Sequence, residues 1–493
     1  MPLPRQEATA RAQQALTHFQ AGRLHEAEMV CRDILLVAPH HVDSLHLLGL
    51  IAHQTGHNDQ AAGLFTQAIK QAPAIAELHW NLGSVLRTAG RTDDALASFR
   101  KALRLKPDSV DMHRKLGDVL RDLGRPEEAL GRYQKAIQLK PQDAEAHHNL
   151  ALAHKTLGRT KIALEGFYES VRLAPNHPQA HYNLGIMLLL AGRLEEGWRE
   201  YEWRWRMPTF KRRDCVQPVW GGEPLQGRTL LIHAEQGFGD TIQFCRFVPP
   251  LARDNDIILQ VPQPVMRLLS RPENMGRLIP PGKETPPFDL YCSLMSLPAL
   301  LDISSADLPA ATPYLAADPA EVARWRQRLA GYAGLHVGLA WAGSVACAAD
   351  EQRSMTLDQL AGLAGLPAVT FVSLQKGRDG ASDGAPMPGM LDWTEELDDF
   401  ADTAGLIGAL DLVISVDTAV VHLAGALGKP VWLLNRFDPC WRWQLEREDS
   451  PWYPTLRQFR QSRMGDWDDV IGRVRTALAA LTNVKPPGLT HVQ

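Results

Sequence analysis

Two glycines and an acid stand close together in the stretch HAEQGFGDTIQF, residues 233–244. An apolar run typical of a strand precedes this stretch, and a possible helix start ends it. Gly237 and Gly239 could take positive φ angles and let the backbone approach a ligand closely. Asp240 would then lie near a helix N-terminus. There it could cap the helix or act as a general base beside a bound substrate, and the stretch alone leaves both roles open.

A second polar group follows another apolar run, in VISVDTAVVHLAGALGKP at 413–430. Asp417, Thr418 and Ala419 come where a strand should end and a helix begin, and the free N–H groups of such a helix start can bind an anion. His422 lies one turn beyond Thr418 on the same helix face. Both a packed structural histidine and a ligand-binding one fit this spacing.

Two further loops carry cations directly after predicted strands. The run SLQKGRDG contains Gln375, Lys376 and Arg378, and the run WAGSVACAADEQRS contains Asp350 and Arg353. The side chains of Gln375, Lys376 and Arg378 could meet phosphate oxygens, although Lys and Arg on a glycine loop are usually only solvated. No third glycine follows GFG and no GxxxxGK[ST] occurs, so the standard dinucleotide and P-loop patterns are absent from the sequence.

No metal site is expected. The run Asp-Asn-Asp at 254–256 has the form of a metal-binding DxD, but it directly precedes a predicted strand and is better explained as a turn. His147, His148 and His154 fall within helical segments, where adjacent side chains point away from each other. The six cysteines show no CxxC or zinc-finger spacing and are interpreted as reduced thiols.

The elements that must position these residues are short strands that alternate with helices from about residue 228 onward. Such alternation predicts parallel sheets, and ligands of such sheets bind beyond the carboxyl ends of the strands. We expect two Rossmann-like lobes, 211–325 and 326–483, that face each other across a cleft, followed by a flexible tail at 484–493. The predicted strands lie at 229–233, 256–262, 288–294, 336–343, 369–375, 411–417 and 430–434.

The first two hundred residues repeat at a step of 34. Small residues would let paired helices touch, an aromatic would fill the gap between them, and a proline would end the second helix. The columns are Gly49, Gly83, Gly117 and Gly185 (with Ala151), then Ala27, Ala61, Ala95, Ala129 and Ala163, then Phe65, Phe99, Tyr133, Phe167 and Tyr201, and Pro39, Pro73, Pro107, Pro141 and Pro175. This pattern resembles the tetratricopeptide repeat over about residues 8–207, in six units. It implies an α-solenoid superhelix over 1–210, whose degenerate last unit, with Trp198, Trp203 and Trp205, caps onto the next domain.

A solenoid of this kind has a concave groove that holds another polypeptide. One column is of interest for that role, two residues before the glycine column. Repeat-containing protein O-glycosyltransferases use asparagines at such a position to bond a peptide backbone of any sequence. A set of solvated polar residues explains the column equally well. Its members are Leu47, Asn81, Lys115, Asn149 and Asn183.

The α/β half resembles the GT-B glycosyltransferases of the heptosyltransferase-like superfamily, through GFGD and DTAVVHLAGALGKP. Together with the repeats, it is similar to bacterial proteins that join tetratricopeptide repeats to such a transferase domain. The fold class implied is α + α/β, a solenoid followed by a two-lobed GT-B domain. The resemblance assigns Asp240 as the base and implies no metal or other cofactor, with a nucleotide sugar as co-substrate. The residues it implies for the donor are Gly237, Gly239, Arg353, Gln375, Lys376, Asp417, Thr418, Ala419 and His422.

Two departures from the family pattern keep a second interpretation open. Ala419 stands where a glycine is usual, and Cys347 stands in the alanine-rich loop 344–349 where the repeat-bearing relatives would have a histidine. A cytoplasmic glycosyltransferase that acts on Ser or Thr of a protein held by the repeats is the first hypothesis. The alternative is a non-catalytic scaffold that carries a degenerate transferase domain.

Composition limits the partners further. The chain has 493 residues and a formal charge of −4, which gives no electrostatic reason to expect nucleic acid or an acidic membrane surface as a partner. No uninterrupted apolar span of membrane length occurs, and the first residues lack the apolar core of a signal peptide. The expected partners are those that the resemblance implies, a protein or peptide acceptor and a nucleotide sugar.

Overall fold

Paired helices fill the first part of the chain, and two parallel sheets with their covering helices fill the second. The structure is a computed structural model that describes residues 5–304, 308, 312–344, 350–376 and 387–482. The chain forms two compact units, Met1–Leu173 and Ala174–Gln493. Cys347, Arg378 and the tail predicted at 484–493 lie outside the described residues.

The first unit consists of helix pairs, each helix packing chiefly on the next one in sequence. The predicted helical repeat is confirmed here. Its helices are α1 Arg5–Gln20, α2 Leu24–Val37, α3 Val42–Gln54, α4 Asn58–Gln71, α5 Ala76–Thr88, α6 Thr92–Leu105, α7 Val110–Asp122, α8 Pro126–Leu139, α9 Ala144–Thr156 and α10 Thr160–Leu173.

The column of small residues packs against the column of aromatic residues, as the sequence predicted. A Cβ placed on Gly49 would lie 2.6 Å from the ring of Phe65, and one on Gly83 would lie 2.7 Å from the ring of Phe99. At these two positions only glycine therefore lets the two helices of a repeat approach this closely. A further glycine column occupies the turn between the two helices of each repeat, where φ lies between 69° and 83°. Its members in this unit are Gly22, Gly56, Gly90, Gly124 and Gly158.

A histidine column ties each first helix to the loop before it. His79, His113 and His147 place Nε2 at 2.9, 2.9 and 3.0 Å from the carbonyl oxygens of Pro73, Pro107 and Pro141. His181 repeats the contact with Pro175 at 2.9 Å in the second unit. These bonds give the repeated histidines a structural role. Among the described residues, no group of three His, Cys, Asp or Glu side chains is placed to hold a metal ion.

The second unit begins with one more helix pair and continues into two sheets. Helix α13 and the helices after it cover the sheets. The helices are α11 Pro178–Leu190, α12 Leu194–Tyr201, α13 Phe238–Phe244, α14 Val248–Ala252, α15 Gln263–Leu269, α16 Leu297–Leu300, α17 Pro319–Leu329, α18 Asp350–Arg353, α19 Leu357–Leu360, α20 Phe400–Ala409, α21 Ala419–Ala426 and α22 Trp467–Leu481. None of the helices in the described ranges is both long and apolar enough to cross a membrane.

Both sheets are parallel, as predicted. The first has the order β3-β2-β1-β4 and the second the order β6-β5-β7-β8-β9. The seven predicted strands are present, and β3 and β9 are additions that the sequence pattern did not predict. The strands are β1 Leu230–His233, β2 Ile257–Gln260, β3 Arg277–Ile279, β4 Leu290–Ser293, β5 Leu335–Ala340, β6 Val369–Ser373, β7 Leu412–Val416, β8 Val431–Asn435 and β9 Leu456–Arg460.

The helix pair α11 and α12 packs on the α/β part through an aromatic cluster. Trp198 is 1% exposed, and its ring centroid lies 6.0 Å from that of Phe244 and 5.2 Å from that of Trp441. The contact that was predicted for the last repeat is therefore present within this unit. A short 3₁₀ helix, Glu202–Arg206, continues from α12 toward the first sheet.

Candidate functional site

The turn that follows β1 carries Asp240 into the first turn of α13. Gly237 precedes the helix with φ of −66°, and its N–H donates to Asp240 Oδ2 at 3.0 Å. Neither Gly237 nor Gly239 has a positive φ, so that expectation was wrong for both glycines. The capping role considered for Asp240 is thus present in the structure, and its role as a base remains a prediction.

The turn that follows β7 presents the other predicted cluster. Thr418 is the N-cap of α21: its Oγ1 accepts the N–H of Val420 at 3.3 Å and lies 3.1 Å from Ser415 Oγ. Asp417 comes directly before it, with 18% of its side chain exposed. The first N–H groups of α21 therefore lie at the carboxyl edge of the second sheet, as the sequence predicted.

These two turns contact each other. A Cβ on Gly239 would lie 2.8 Å from His422 Cδ2 and 3.4 Å from the Cα of Ala419. Residue 239 must lack a side chain because α13 approaches α21 closely at this point. Close packing, and not a positive φ, is therefore the physical reason for this glycine. The structure thus brings Gly239, Ala419 and His422 to one place between the two lobes.

Arg442 is a central residue of this place and was not predicted from the sequence. It lies in a short 3₁₀ helix, Trp441–Trp443, and its guanidinium forms an ion pair with Asp240 and donates to Gln243 Oε1 at 2.6 Å. The guanidinium carbon also lies 4.2 Å from the ring centroid of Trp441. Burial opposes the charge of Arg442, but Asp240, Cys440 and Tyr201 together outweigh it, so the pKa of Arg442 lies above its usual value. A charge at residue 442 is therefore present at any physiological pH.

Arg353 and Gln375 hold the loops at the carboxyl edge of the second sheet. Arg353 Nη1 donates to the carbonyl of Asp417 at 3.0 Å, and its guanidinium lies against Gly343. Gln375 Oε1 accepts the N–H groups of Trp341 at 3.1 Å and Ala342 at 2.9 Å. Lys376 follows Gln375 and is exposed. The edge therefore presents one arginine that is fixed in place and one exposed lysine.

His422 is enclosed by aromatic side chains. It is 4% exposed, its Nδ1 lies 2.9 Å from the Tyr453 hydroxyl, and its ring stacks on Trp443 at 5.3 Å. Burial lowers the pKa of His422 well below its usual value, and the charges of Arg442 and nearby arginines act in the same direction. A neutral imidazole that packs between the lobes is the state this environment supports.

Asp417 experiences opposing influences. Burial raises its pKa above the usual value, while the positive charges of Arg442 and Arg353 act to lower it. His422 Nε2 lies 4.0 Å from Asp417 Oδ1. The positive charges of Arg442 and Arg353 therefore both act on one partly buried carboxylate, and a ligand phosphate could take up the same charges.

The column predicted to line a peptide groove divides into different environments. Asn149 is 7% exposed, and its Nδ2 donates to Asp118 Oδ1 at 2.9 Å. Asn81 is half-buried and lies 2.7 Å from His46 Nε2, while Lys115 is paired with Asp111 at 3.0 Å. In the second unit, Asn183 Oδ1 accepts from Gln179 Nε2 at 3.4 Å. Their contact with a peptide stays a prediction.

Comparison with protein families identifies the repeats. Residues 46–110 and 148–201 match a model described as tetratricopeptide repeat, and residues 117–158 match a second model described as TPR repeat. The matched ranges agree with the 34-residue step of the sequence and with the helix pairs of the structure.

A curated relative extends the similarity over more of the chain. It is Protein FlbA of Caulobacter vibrioides, 31% identical over 322 residues. The match covers 59% of this chain and 53% of FlbA, so the chain spans about half the length of the relative that it matches.

Solved structures similar to this chain resemble about a third of it. MamA is 23% identical, with 32% of this chain and 93% of MamA covered, at a TM-score of 0.31. PilF of Pseudomonas aeruginosa is 25% identical, with 35% and 78% covered, at 0.32. YrrB, a TPR protein with an unusual peptide-binding site, is 21% identical, with 36% and 92% covered, at 0.31. The family matches, together with the helix pairs, establish that this chain carries tetratricopeptide repeats followed by a parallel-sheet α/β region.

Proposed function

We propose that the protein is a metal-independent GT-B glycosyltransferase that moves a sugar from a nucleotide-activated donor to a hydroxyl of a polypeptide held by the repeats. One observation carries the proposal: the turn bearing Asp240 and the turn bearing Thr418 contact each other through Gly239 and Ala419. Each turn follows a strand of a different parallel sheet, at the edge where such sheets bind ligands.

The donor diphosphate is proposed to bind at the start of α21. The free N–H groups of this helix and the Thr418 hydroxyl supply hydrogen-bond donors. Arg353 and Lys376 lie on neighbouring loops of the same edge, and Arg442 lies beside Asp417. Because these cations can balance the charge of a departing diphosphate, the reaction has no need of a metal ion at this position.

The chemical step is a substitution at the anomeric carbon of the donor sugar. Asp240 takes the proton of the acceptor hydroxyl, the hydroxyl oxygen forms a bond to the anomeric carbon, and the bond from that carbon to the diphosphate oxygen breaks. The nucleoside diphosphate leaves with the bonding electrons. For Asp240 to accept the proton, its ion pair with Arg442 must loosen, and the negative diphosphate is an alternative partner for that arginine.

The test is turnover of a panel of UDP-, GDP- and dTDP-linked sugars by the purified protein, with donor binding measured by calorimetry. Asp240→Asn removes the proton acceptor and is expected to lower turnover by about 10²-fold or more while donor binding remains. Asp254→Asn changes an exposed acid in the turn before β2 and serves as the matched control. Unchanged turnover in Asp240→Asn would remove the assignment of the base.

Metal independence is tested separately. Turnover is expected to persist after the protein is treated with EDTA and the chelator is removed. Loss of turnover that returns with Mg²⁺ or Mn²⁺ would contradict this part of the proposal, without affecting the donor site.

The second candidate function is a scaffold without catalytic activity. The observation in its favour is that both oxygens of Asp240 are engaged, one by the N–H of Gly237 and the other by Arg442. A wild-type protein that neither binds nor consumes any donor of the panel would support this candidate and sink the first.

A further inference from the structure

A cavity of about 40 Å³ lies at the carboxyl edge of the first sheet, and its lining includes neither Asp240 nor Thr418. β1 ends there at His233 and β4 ends there at Ser293, and both residues line the cavity. β2 and β3 lie on one side of β1, whereas β4 lies on the other. The cavity therefore occupies the point where the strand order reverses, which is the general ligand position in open parallel sheets.

The walls of the cavity are partly aromatic and include a cation. Trp205, Trp220 and Tyr291 form apolar surfaces, and Arg212 stands at the wall with its guanidinium carbon 5.7 Å from the ring centroid of Trp205. A volume of this size is well below the roughly 300 Å³ at which small-molecule sites begin. It suits a single side chain better than a nucleotide sugar.

One wall comes from the segment that directly follows the last helix pair. Residues 203–213, WRWRMPTFKRR, contain five cations and no acid. Arg206, Lys211 and Arg212 are exposed, and none of the three is paired with a carboxylate in the described part of the chain. We call residues 203–213 the basic segment.

The acids near the basic segment do not neutralise these three cations. Glu202 forms an ion pair with the buried Arg204, and its other oxygen accepts from Trp205 Nε1 and Ser296 Oγ. Glu235 also pairs with Arg204, at 3.0 Å. Asp214 is exposed at the end of the segment. Glu202 also lines the cavity, but its charge is taken up by Arg204, so Arg212 is a cation of the lining that no described carboxylate pairs.

The basic segment also touches the helix that bears the last predicted groove residue. Trp203 stacks on His181 with ring centroids 3.7 Å apart, and Phe210 lies 5.5 Å from the ring of Tyr182. Asn183 is the next residue along α11. The basic segment therefore packs against the same helix that carries Asn183.

We propose that the basic segment and the cavity beneath it form a docking site for an acidic side chain of the polypeptide that the repeats hold. The carboxylate pairs with Arg212 at the mouth, and the aliphatic part of the side chain lies against Trp205 and Trp220. This rests on the polypeptide partner of the proposed function, but it requires neither a donor sugar nor turnover.

The test uses two fluorescently labelled synthetic peptides of equal length with blocked ends. One carries Asp and Glu at its centre, and the other carries Asn and Gln at the same positions. Fluorescence anisotropy at low salt is expected to show about tenfold tighter binding of the acidic peptide to the full-length protein. The preference is expected to shrink at high salt, because the paired charges are partly exposed.

Variants locate the site. Arg212→Glu is expected to abolish the preference, whereas Arg253→Glu, which reverses an exposed arginine of the same lobe outside the cavity, is expected to keep it. Val219 lines the cavity and is 42% exposed, so Val219→Trp is expected to weaken binding of the acidic peptide without any change of charge. Circular dichroism and melting curves of each variant show whether it is folded. Should Arg212→Glu fail to fold, Arg212→Gln gives the same comparison.

Equal binding of the two peptides by the wild type, or a preference that survives Arg212→Glu, would overturn the docking site. A single-stranded DNA oligonucleotide that displaces the acidic peptide better than the unlabelled peptide does would also overturn it, in favour of a nucleic-acid site. An acid preference without glycosyl transfer would leave the docking site standing while the proposed function falls. Glycosyl transfer that is indifferent to acids in the acceptor would do the reverse.

Discussion

Histidines show how differently the two units use their polar side chains. In the first unit, His79, His113 and His147 each bond a proline carbonyl six residues earlier in the chain. In the second unit, His422 of the second lobe lies against Gly239 of the first, and Asp240 of the first pairs with Arg442 of the second.

This difference separates two kinds of function. Where polar groups are held by neighbours in the same or the next repeat, partners are bound by the side chains that remain on the surface. Where polar groups from distant parts of the chain meet, charges lie close together in a partly buried place, and chemistry becomes possible. We therefore expect mutations at the place where these polar groups meet in the second unit to change the free energy of unfolding by a different amount from mutations of the repeated contacts in the first unit.

The largest effect is expected when the cation between the lobes is removed. Arg442→Met leaves Asp240 without its partner in a largely buried position, which should lower the free energy of unfolding by about 3–5 kcal/mol. Tryptophan fluorescence during urea denaturation reports this unit, because Trp80 is the single tryptophan of 13 that precedes residue 174.

The matched control is Arg457→Met. Arg457 is 51% exposed and pairs with Glu448 on the surface, so its removal should cost about 0–1 kcal/mol. If the two variants unfold at the same urea concentration, Arg442 is no more important to the structure than a surface arginine.

A smaller effect is expected when the close contact of α13 and α21 is blocked. In Gly239→Ala the new methyl group would lie 2.8 Å from His422 Cδ2, and the ring cannot retreat because Trp443 and Tyr453 enclose it. Overpacking of this kind costs about 1–3 kcal/mol. Any donor binding should weaken as well, because the start of α21 must shift.

Gly237→Ala is the control for this contact, two residues earlier in the same turn. Its φ of −66° suits alanine, and the nearest atom to a new Cβ is Asp240 Oδ2 at 3.5 Å. The melting temperature and the donor affinity are measured for both variants, and Gly239→Ala is expected to lower both more than Gly237→Ala does. A Gly239→Ala protein that is as stable as Gly237→Ala would show that the two helix starts do not need to touch.

The sequence predicted the repeats because each contact recurs at a step of 34. A small residue, Gly or Ala, that faces an aromatic in successive repeats is visible as two aligned columns, and the histidines and the turn glycines follow the same step. The strands were predicted because runs such as Leu412–Val416 are apolar except for Ser415, and the structure buries the whole run, as expected for a strand covered on both faces. β3 has three residues, and β9 reads Leu-Arg-Gln-Phe-Arg at the edge of its sheet, so neither gives that signal.

The sequence predicted only those residues of the candidate site that are marked by a local pattern along the chain, such as a position directly after a strand. Asp240 and Thr418 each follow a strand directly, and the carboxyl ends of parallel strands meet at one edge. Arg442 follows no strand end and lies in a short 3₁₀ helix, so no local pattern marks it. Its importance comes from contacts with residues about two hundred positions away, such as Gln243. The requirement for glycine at 239 also comes from a distant residue, because a side chain there would meet His422.

Acidification should weaken the second unit more than the first. Burial, aided by the charge of Arg213, lowers the pKa of His233 to about 4. His422 is shifted in the same direction, and in the first unit burial lowers the pKa of His113. A histidine whose pKa falls on folding contributes stability above its unfolded value near 6.5, and that stability is lost as pH falls toward the folded value.

Between pH 7 and pH 5, His233 alone should cost the second unit about 2 kcal/mol. The measurement is the urea midpoint by tryptophan fluorescence for the second unit, compared with helical circular dichroism, which is dominated by the repeats. His233→Gln should flatten the dependence on pH. A fluorescence midpoint that stays constant over this range would show that these histidines do not experience the burial on which the argument depends.

The smallest effect concerns the asparagine column and distinguishes structure from binding within the repeats. Asn149→Ala removes a hydrogen bond to Asp118, which is also held by the Tyr133 hydroxyl at 2.8 Å. The free energy of unfolding should fall by about 1 kcal/mol. Because Asn149 is 7% exposed, its loss should change the affinity for a peptide less than the loss of the half-buried Asn81 does. Peptide affinity by anisotropy and urea midpoints by circular dichroism separate the two effects. A peptide affinity that drops more in Asn149→Ala than in Asn81→Ala would mean that Asn149 leaves Asp118 to bind the ligand, and that polar groups of the first unit are not satisfied within the repeats alone.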